Sequence, residues 1–328
     1  MLKQQKGKLL VIIGPTAVGK TKLSIELAKR FNGEIISGDS MQVYKGMDIG
    51  TAKIKKQEME GVPHYLLDIK EPDEPFSAAE FQKRANTCIE DIQNRGKLPI
   101  IVGGTGLYIQ SVIYDYHFSE APSDPLYREK LEKQVKEEGI EPVFDQLRSV
   151  DPESAKRIHP NNVRRVIRAL EIFHCTGKTM SEQMNQQPTE MKYDTCIIGL
   201  TMDRDQLYQR IDQRVDGMVE EGLFDEVQSF YDRGLRDCQS IQAIGYKEIY
   251  DYFEDRASID EAIDSLKQNS RRYAKRQLTW FRNKMDVIWF NMTDIEGFTK
   301  KINEISGFVA GKLFDEGEYI NLERKEED

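Results

Sequence analysis

An apolar strand that runs straight into a glycine loop sets the terms for this chain. Leu9 to Ile13 is continuous and apolar, and Gly14-Pro15-Thr16-Ala17-Val18-Gly19-Lys20-Thr21 follows at once. That run matches the phosphate-loop (Walker A) spacing at every fixed position. Leu23, Ile25, Leu27, Ala28 and Phe31 supply the apolar positions of the helix that should come next. Strand, loop and helix in this order imply a parallel α/β core. The glycines let backbone N–H groups turn inward around an anion, and the helix N-terminus adds its dipole. Lys20 brings a point charge to the phosphate oxygens. Thr21 can reach a magnesium ion or a phosphate oxygen.

The loop specifies phosphate binding, not ATP hydrolysis. ATPases commonly end a second strand in an Asp that holds magnesium. Here the strand Leu98–Val102 leads into Gly103-Gly104-Thr105-Gly106, with no acid. The strand Glu34–Ser37 does lead to an acid, Asp39, followed by Ser40. The acid nearest the phosphate loop is therefore open to a role other than metal binding.

At 328 residues there is room for about two domains. Cysteines at 88, 175, 196 and 238 form no CxxC pair, and the four histidines form no HExxH, so neither a disulfide framework nor a structural metal is suggested. The basic start is too short of apolar residues for a signal peptide, and no stretch approaches the length of a membrane span. The expected address is the cytoplasm. A net charge of −9 argues on its face against nucleic acid. The charge is unevenly spread, however. Lys267–Lys284 holds seven basic residues and no acid, Lys156–Arg168 holds five and a histidine, and the last fourteen residues hold seven acids against two bases. A local basic surface can bind a nucleic-acid backbone on an acidic protein.

The first 115 residues alternate strand and helix, with strands expected at 9–13, 34–38, 64–69 and 98–102. A helix from Ser77 to Arg95 has Ser77 and Glu80 as a capping box and Gly96 as its stop. From about 119 to 190 strands vanish and charged helical runs take over: Pro125–Glu138, Pro142–Ser149, Pro152–Ile158 and Asn161–Cys175. Met180–Lys192 reads as a polar surface connection. Thr195–Leu200 returns to the sheet, a helix starts near Arg204, Val287–Phe290 is a final strand, and Lys300–Phe314 a final helix. The expected organisation is a P-loop α/β core over 1–118, a helical insertion over 119–192, core completion with a basic helical part over 193–314, and a disordered acidic tail over 315–328.

Each candidate site has a plainer alternative. Asp39, in Asp39-Ser40-Met41-Gln42-Val43-Tyr44, can take a proton from a nucleophile, hold magnesium through water, or simply cap a turn. Gln42 and Tyr44 can support base recognition by amide pairing or stacking. Thr105 can donate to a leaving oxygen or only start a helix. Arg164 and Arg168 share a helical face that suits phosphates or plain solvent, with Arg165 displaced from it. Arg272, Lys275, Arg276, Thr279 and Arg282 recur at helical steps with Tyr273, Trp280 and Phe281 interleaved, a pattern that can cross a nucleic-acid backbone. Arg210 and Arg214 can reach a pyrophosphate or pair with Asp212 or Asp216.

Together these residues resemble the tRNA dimethylallyltransferase (tRNA isopentenyltransferase) family. The likeness is carried by Gly14–Thr21, Asp39–Tyr44, Asp48-Ile49-Gly50-Thr51-Ala52-Lys53, Gly103–Tyr108, Ile244-Gly245-Tyr246 and Lys275–Arg282, and it spans nearly the whole chain. Lys45 and Lys247 stand where many relatives show Arg, and Ile54 where Pro is common. The resemblance implies a nucleotide-kinase-like parallel sheet with a helical insertion. It implies dimethylallyl transfer from dimethylallyl diphosphate to N6 of adenosine 37 in the tRNA anticodon stem-loop, by a monomer, with Mg2+ assisting the leaving group. Thr16, Ala17, Val18, Gly19, Lys20, Thr21 and Arg214 would hold the diphosphate, with Thr21 toward the metal. Thr105 would sit near the bridging oxygen, and Asp39 would anchor the adenine amine and take its proton. Asp39, Ser40, Met41, Gln42, Val43, Arg164, Arg165, Arg168, Arg272, Lys275, Arg276 and Arg282 would face tRNA. Two rivals share parts of the pattern. A small-molecule or nucleotide kinase leaves the acid-free run unexplained, and a non-catalytic RNA-binding module leaves Asp39 and the phosphate loop unexplained.

Overall fold

The computed structural model describes residues 6–118, 124–294 and 297–315. Six parallel strands form one sheet: β1 (Lys8–Ile13), β2 (Gly33–Gly38), β3 (His64–Tyr65), β4 (Leu98–Gly103), β5 (Asp194–Thr201) and β6 (Ile288–Asn291), in the order β3-β2-β4-β1-β5-β6. Leu10 pairs with Ile100 on one side and Cys196 on the other, so β1 is central. The first helices are α1 (Lys20–Arg30), α2 (Ala78–Asn94) and α3 (Gly106–Ile113). Next come α4 (Pro125–Glu138), α5 (Glu141–Val150), α6 (Pro152–Arg157), α7 (Val163–Thr176) and α8 (Met180–Asn185). The last are α9 (Arg204–Glu220), α10 (Leu223–Asp232), α11 (Tyr246–Phe253), α12 (Ile259–Lys284) and α13 (Phe298–Leu313).

A continuous apolar strand is what a sheet covered on both faces requires. Leu9, Val11 and Ile13 pack with α2, α3, α11 and the inner side of α12, while Leu10 and Ile12 pack with α1, α9 and α13. The chain divides into two compact units, one of residues 1–115 with 191–328, the other of 116–190. The inserted segment expected from sequence runs over 119–192. The second unit has its own core, in which Leu131, Val143, Phe144, Leu147, Val166, Ile167 and Leu170 are buried.

Two expected elements need correction. The strand expected at 64–69 ends at Tyr65, because Leu66 (φ 63°) and Asp68 (φ 54°) turn out of the extended region. The segment then runs beside residues 43–45, with Lys45 N–H donating to the Lys70 carbonyl at 2.9 Å. The polar connection expected at 180–192 contains α8, started by a capping box in which Thr179 accepts from Glu182 N–H and Glu182 accepts from Thr179 N–H. Ser77 does cap α2, accepting from Glu80 N–H at 3.1 Å, but the Glu80 carboxylate pairs with Lys70 and Arg84 and does not complete the expected capping box. Beyond Asp315, the acidic tail lies outside the described residues.

Candidate active site

The loops after β1, β2 and β4 meet at the carboxyl edge of the sheet, the usual seat of ligands in open α/β folds. A cavity of about 790 Å³ opens there. Thr16, Ala17, Gly19, Lys20, Thr21, Asp39, Gln42, Gly103, Gly104, Arg210 and Arg214 are among its lining residues. A second cavity of about 310 Å³ is lined by Ser40, Met41, Lys247, Ser270 and Arg276 among others. The two share Thr16, Asp39, Thr51, Arg214 and Tyr273.

The phosphate loop is held as its sequence requires. Gly19 precedes α1 with φ 104°, a conformation that costs glycine little. Lys20 Nζ donates to the carbonyls of Gly14 (3.0 Å) and Pro15 (2.7 Å). Burial pushes the Lys20 ammonium down to about 7; the Arg214 guanidinium pushes the same way, and Asp39 opposes both. Burial also lowers Arg214, again with Asp39 opposing. Such a pair of desolvated cations suits a dianionic or trianionic ligand. Arg210 and Arg214 have no acidic ion-pair partner among the described residues. The acids the sequence offered them are taken by α12: Asp212 pairs with Arg271 and Asp216 with Lys267.

Asp39 Oδ1 accepts from the N–H groups of Met41 (2.8 Å) and Gln42 (3.3 Å). One oxygen therefore makes the turn, and the carboxylate still lines both cavities. The turn thus leaves the carboxylate open to both cavities. The Thr105 hydroxyl is buried with no hydrogen-bond partner among the described residues. Burial raises the Tyr273 phenol, with Asp39 adding to the rise and the neighbouring Thr105 and Gln277 side chains opposing it.

Several expected contacts are corrected. Val43 is fully buried in the core, and its carbonyl accepts from Ile69 and Lys70 N–H, so its side chain has no ligand to touch. Tyr44 is fully buried too, which removes it from stacking. The Gln42 amide is committed to protein: it accepts from Ser37 Oγ (3.0 Å) and donates to the carbonyls of Thr51 (3.2 Å) and Ala52 (3.4 Å). In this conformation that amide fixes the loop at 48–53. Val18 is buried, so only its backbone can meet a phosphate. In the second unit Arg164 and Arg165 are exposed, whereas Arg168 is bound to the buried Glu171 at 2.6 Å.

The acid-free run also divides. Arg272, Lys275, Arg276 and Arg282 are exposed and have no acidic partner among the described residues. Lys267 and Arg271 are used internally. Sequence reasoning passed over Gln277, which is buried on the inner side of α12 and bonds both glycine loops. A polar residue four positions after Tyr273, on the packed side of a helix, was the signal available. It also passed over Glu226. That carboxylate accepts from the N–H groups of Asp48 (2.9 Å), Ile49 (2.7 Å) and Gly50 (3.0 Å) and from the Tyr246 hydroxyl, which joins two of the sequence motifs.

For magnesium, the described residues contain no cluster of three or more His, Cys, Asp or Glu side chains. The exposed Thr21 hydroxyl and the Asp39 carboxylate on the same cavity suit a magnesium carried mainly by phosphate oxygens and water. No helix among the described residues is long and apolar enough to cross a membrane.

The IPP transferase family model matches residues 42–284. The chain is 67% identical to the tRNA dimethylallyltransferase of Geobacillus thermodenitrificans, over 93% of this chain and 97% of that one. Among solved structures, the full-length tRNA isopentenylpyrophosphate transferase of Bacillus halodurans is 58% identical with a TM-score of 0.72, covering 97% of this chain and 100% of that one. A eukaryotic dimethylallyltransferase acting on tRNA is 33% identical with a TM-score of 0.81, covering 94% and 81%. The chain belongs to the IPP transferase family, that of the tRNA dimethylallyltransferases.

Proposed function

We infer that this chain transfers the dimethylallyl group of dimethylallyl diphosphate to N6 of adenosine 37 in tRNA. The observation that carries the reading is Asp39 at the join of two cavities, one built on the phosphate loop and one reaching the basic helix α12. Two substrates can then meet at one carboxylate. The N6–carbon bond forms as the carbon–oxygen bond to diphosphate breaks, and the bonding pair leaves with the diphosphate.

The roles follow from position. The loop N–H groups of Ala17 to Thr21, with Lys20 and Arg214, bind the diphosphate and stabilise the charge that grows on it. Thr105, with its hydroxyl otherwise unpartnered, donates to the departing oxygen. Asp39 orients the adenine amine with its oxygen not used in the turn and receives its proton. An exocyclic amine is a weak nucleophile, so alignment matters as much as basicity. Thr21 would hold magnesium with the diphosphate, where the ion would neutralise the leaving group. Ser40, Met41, Arg272, Lys275, Arg276 and Arg282, with Arg164 and Arg165 of the second unit, contact the anticodon stem-loop. The base must leave its stack to enter. We read the chain as a monomer that acts in the cytoplasm, where its tRNA substrate is.

Incubation with labelled dimethylallyl diphosphate and unmodified tRNA, followed by digestion to nucleosides, should yield one labelled adenosine, at position 37. Label that stays with diphosphate, or phosphate transfer from ATP instead, would overturn the assignment.

A further inference from the structure

The phosphate loop and the Thr105 loop leave neighbouring strands, whose last paired residues are Ile13 and Gly103. Past that point the sheet no longer sets their spacing. The reaction proposed above depends on it, because the diphosphate is held by one loop and its departing oxygen meets Thr105 on the other.

Gln277 ties the two. Its Oε1 accepts from Thr16 N–H at 2.9 Å, and its Nε2 donates to the Gly104 carbonyl at 3.2 Å. Thr16 N can only donate and Gly104 O can only accept, so the amide has a single orientation that satisfies both. The side chain is 5% exposed. A methyl group on Gly104 would come within 1.9 Å of Nε2, so glycine is what admits the amide there. A neutral amide supplies one acceptor and one donor without placing a charge beside an anion.

The support is stiff. Tyr273, Gln277 and Trp280 lie at i, i+4 and i+7 on the inner side of α12, and Ala274 and Phe281 beside them are fully buried. Ion pairs of Lys267 with Asp216 and Arg271 with Asp212 fasten the helix to α9. Arg272, Lys275, Arg276 and Arg282 of α12 are exposed and have no acidic partner among the described residues.

We propose that Gln277 is a positioning residue that sets the distance between the phosphate loop and Thr105, and so governs departure of the diphosphate rather than binding of either substrate. This rests on the transferase reading, and the parent enzyme's own transfer tests that reading separately.

Gln277→Met keeps the length and apolar bulk and removes both hydrogen bonds. Misplacement of a reacting group by about 1 Å costs up to ~100-fold. Single-turnover transfer by the variant should therefore fall about 10- to 100-fold, with the apparent KM for tRNA and for dimethylallyl diphosphate each within about threefold of the parent. Gly104→Ala, which leaves the glutamine in place but displaces its amide, should show the same split. Thermal melts and binding of inorganic pyrophosphate accompany both variants and should stay near the parent. A rate within twofold of the parent in Gln277→Met overturns the proposal. So does a loss that appears only as a raised KM for tRNA, which would make Gln277 an RNA contact. A rate loss that follows a lowered melting temperature and recovers on cooling also overturns it, since the residue would then serve only the fold.

Discussion

Lys267 Nζ lies 2.6 Å from Asp216 Oδ1, and with the neighbouring Arg271–Asp212 pair it splits the basic run of α12 into two parts with different work. The N-terminal pair fastens α12 to α9. The cations after it are exposed. Changing Arg272, Lys275 and Arg276 together to Gln should raise the KM for tRNA and leave that for dimethylallyl diphosphate nearly unchanged. The slope of log affinity against log salt should flatten by about 0.7–0.9 for each phosphate no longer neutralised. Changing Lys267 and Arg271 to Gln should instead lower the melting midpoint by roughly 2–4 °C and leave the slope alone. Salt titrations and melts on both variants check this; equal slopes in the two would refute it.

Asp39→Asn preserves an acceptor for Met41 N–H and removes the base. Single-turnover transfer should drop by at least ~100-fold while tRNA affinity stays within about threefold. A rate close to the parent would assign Asp39 to the turn alone.

The lowered Lys20 predicts a proton count. With its pKa near 7, the free protein at pH 8 holds Lys20 mostly neutral. Pyrophosphate restores the charge, so binding takes up a proton. Calorimetry at pH 8 in buffers of different ionisation enthalpy should show the parent taking up about one proton more than Lys20→Arg, whose side chain does not titrate there. Below pH 6 the difference should vanish. Equal uptake at pH 8 would mean that Lys20 is already charged.

Glu34 predicts acid sensitivity. Its carboxylate is 1% exposed and accepts from Arg95 (2.6 Å), Lys97 (2.7 Å) and Tyr65 (2.7 Å). Chiefly through Arg95, it is held down to about 2 from 4.5. A lowered folded pKa means stability present above pH 4.5 and lost as pH falls toward 2. The linkage is on the order of 3 kcal/mol. Glu34→Gln should melt lower at pH 7 and show a flatter pH dependence between 4.5 and 2, read by thermal melts across that range.

Local signals carried the reading where one physical rule acted alone. The continuous apolar run of β1, the phosphate loop and α4, with Pro125 at its start and Gly139 after its end, are all visible in sequence. They failed where tertiary contacts decide. Residues 66–69 look extended, but positive φ at Leu66 and Asp68 bends them against the Val43 segment. Gln42 offers a free amide in sequence and spends it on Thr51 and Ala52. Gln277 bonds partners some 170 and 260 positions away, and no local pattern encodes that.

The backbone N–H of Lys192 donates to the Ile113 carbonyl at 2.8 Å, so the chain closes on itself at the two ends of the second unit. Residues 116–190 are thus a side branch of the polypeptide, with a core of their own. That bears on how the sheet forms. β1 must find β5 across roughly 190 residues of chain, and such distant parallel pairing is slow. A branch tied at its root drops out of that search, because closure entropy grows only weakly with the length enclosed. Its helices can lengthen, shorten or change their surface charge while the encounter of β1 with β5 keeps its rate and its register.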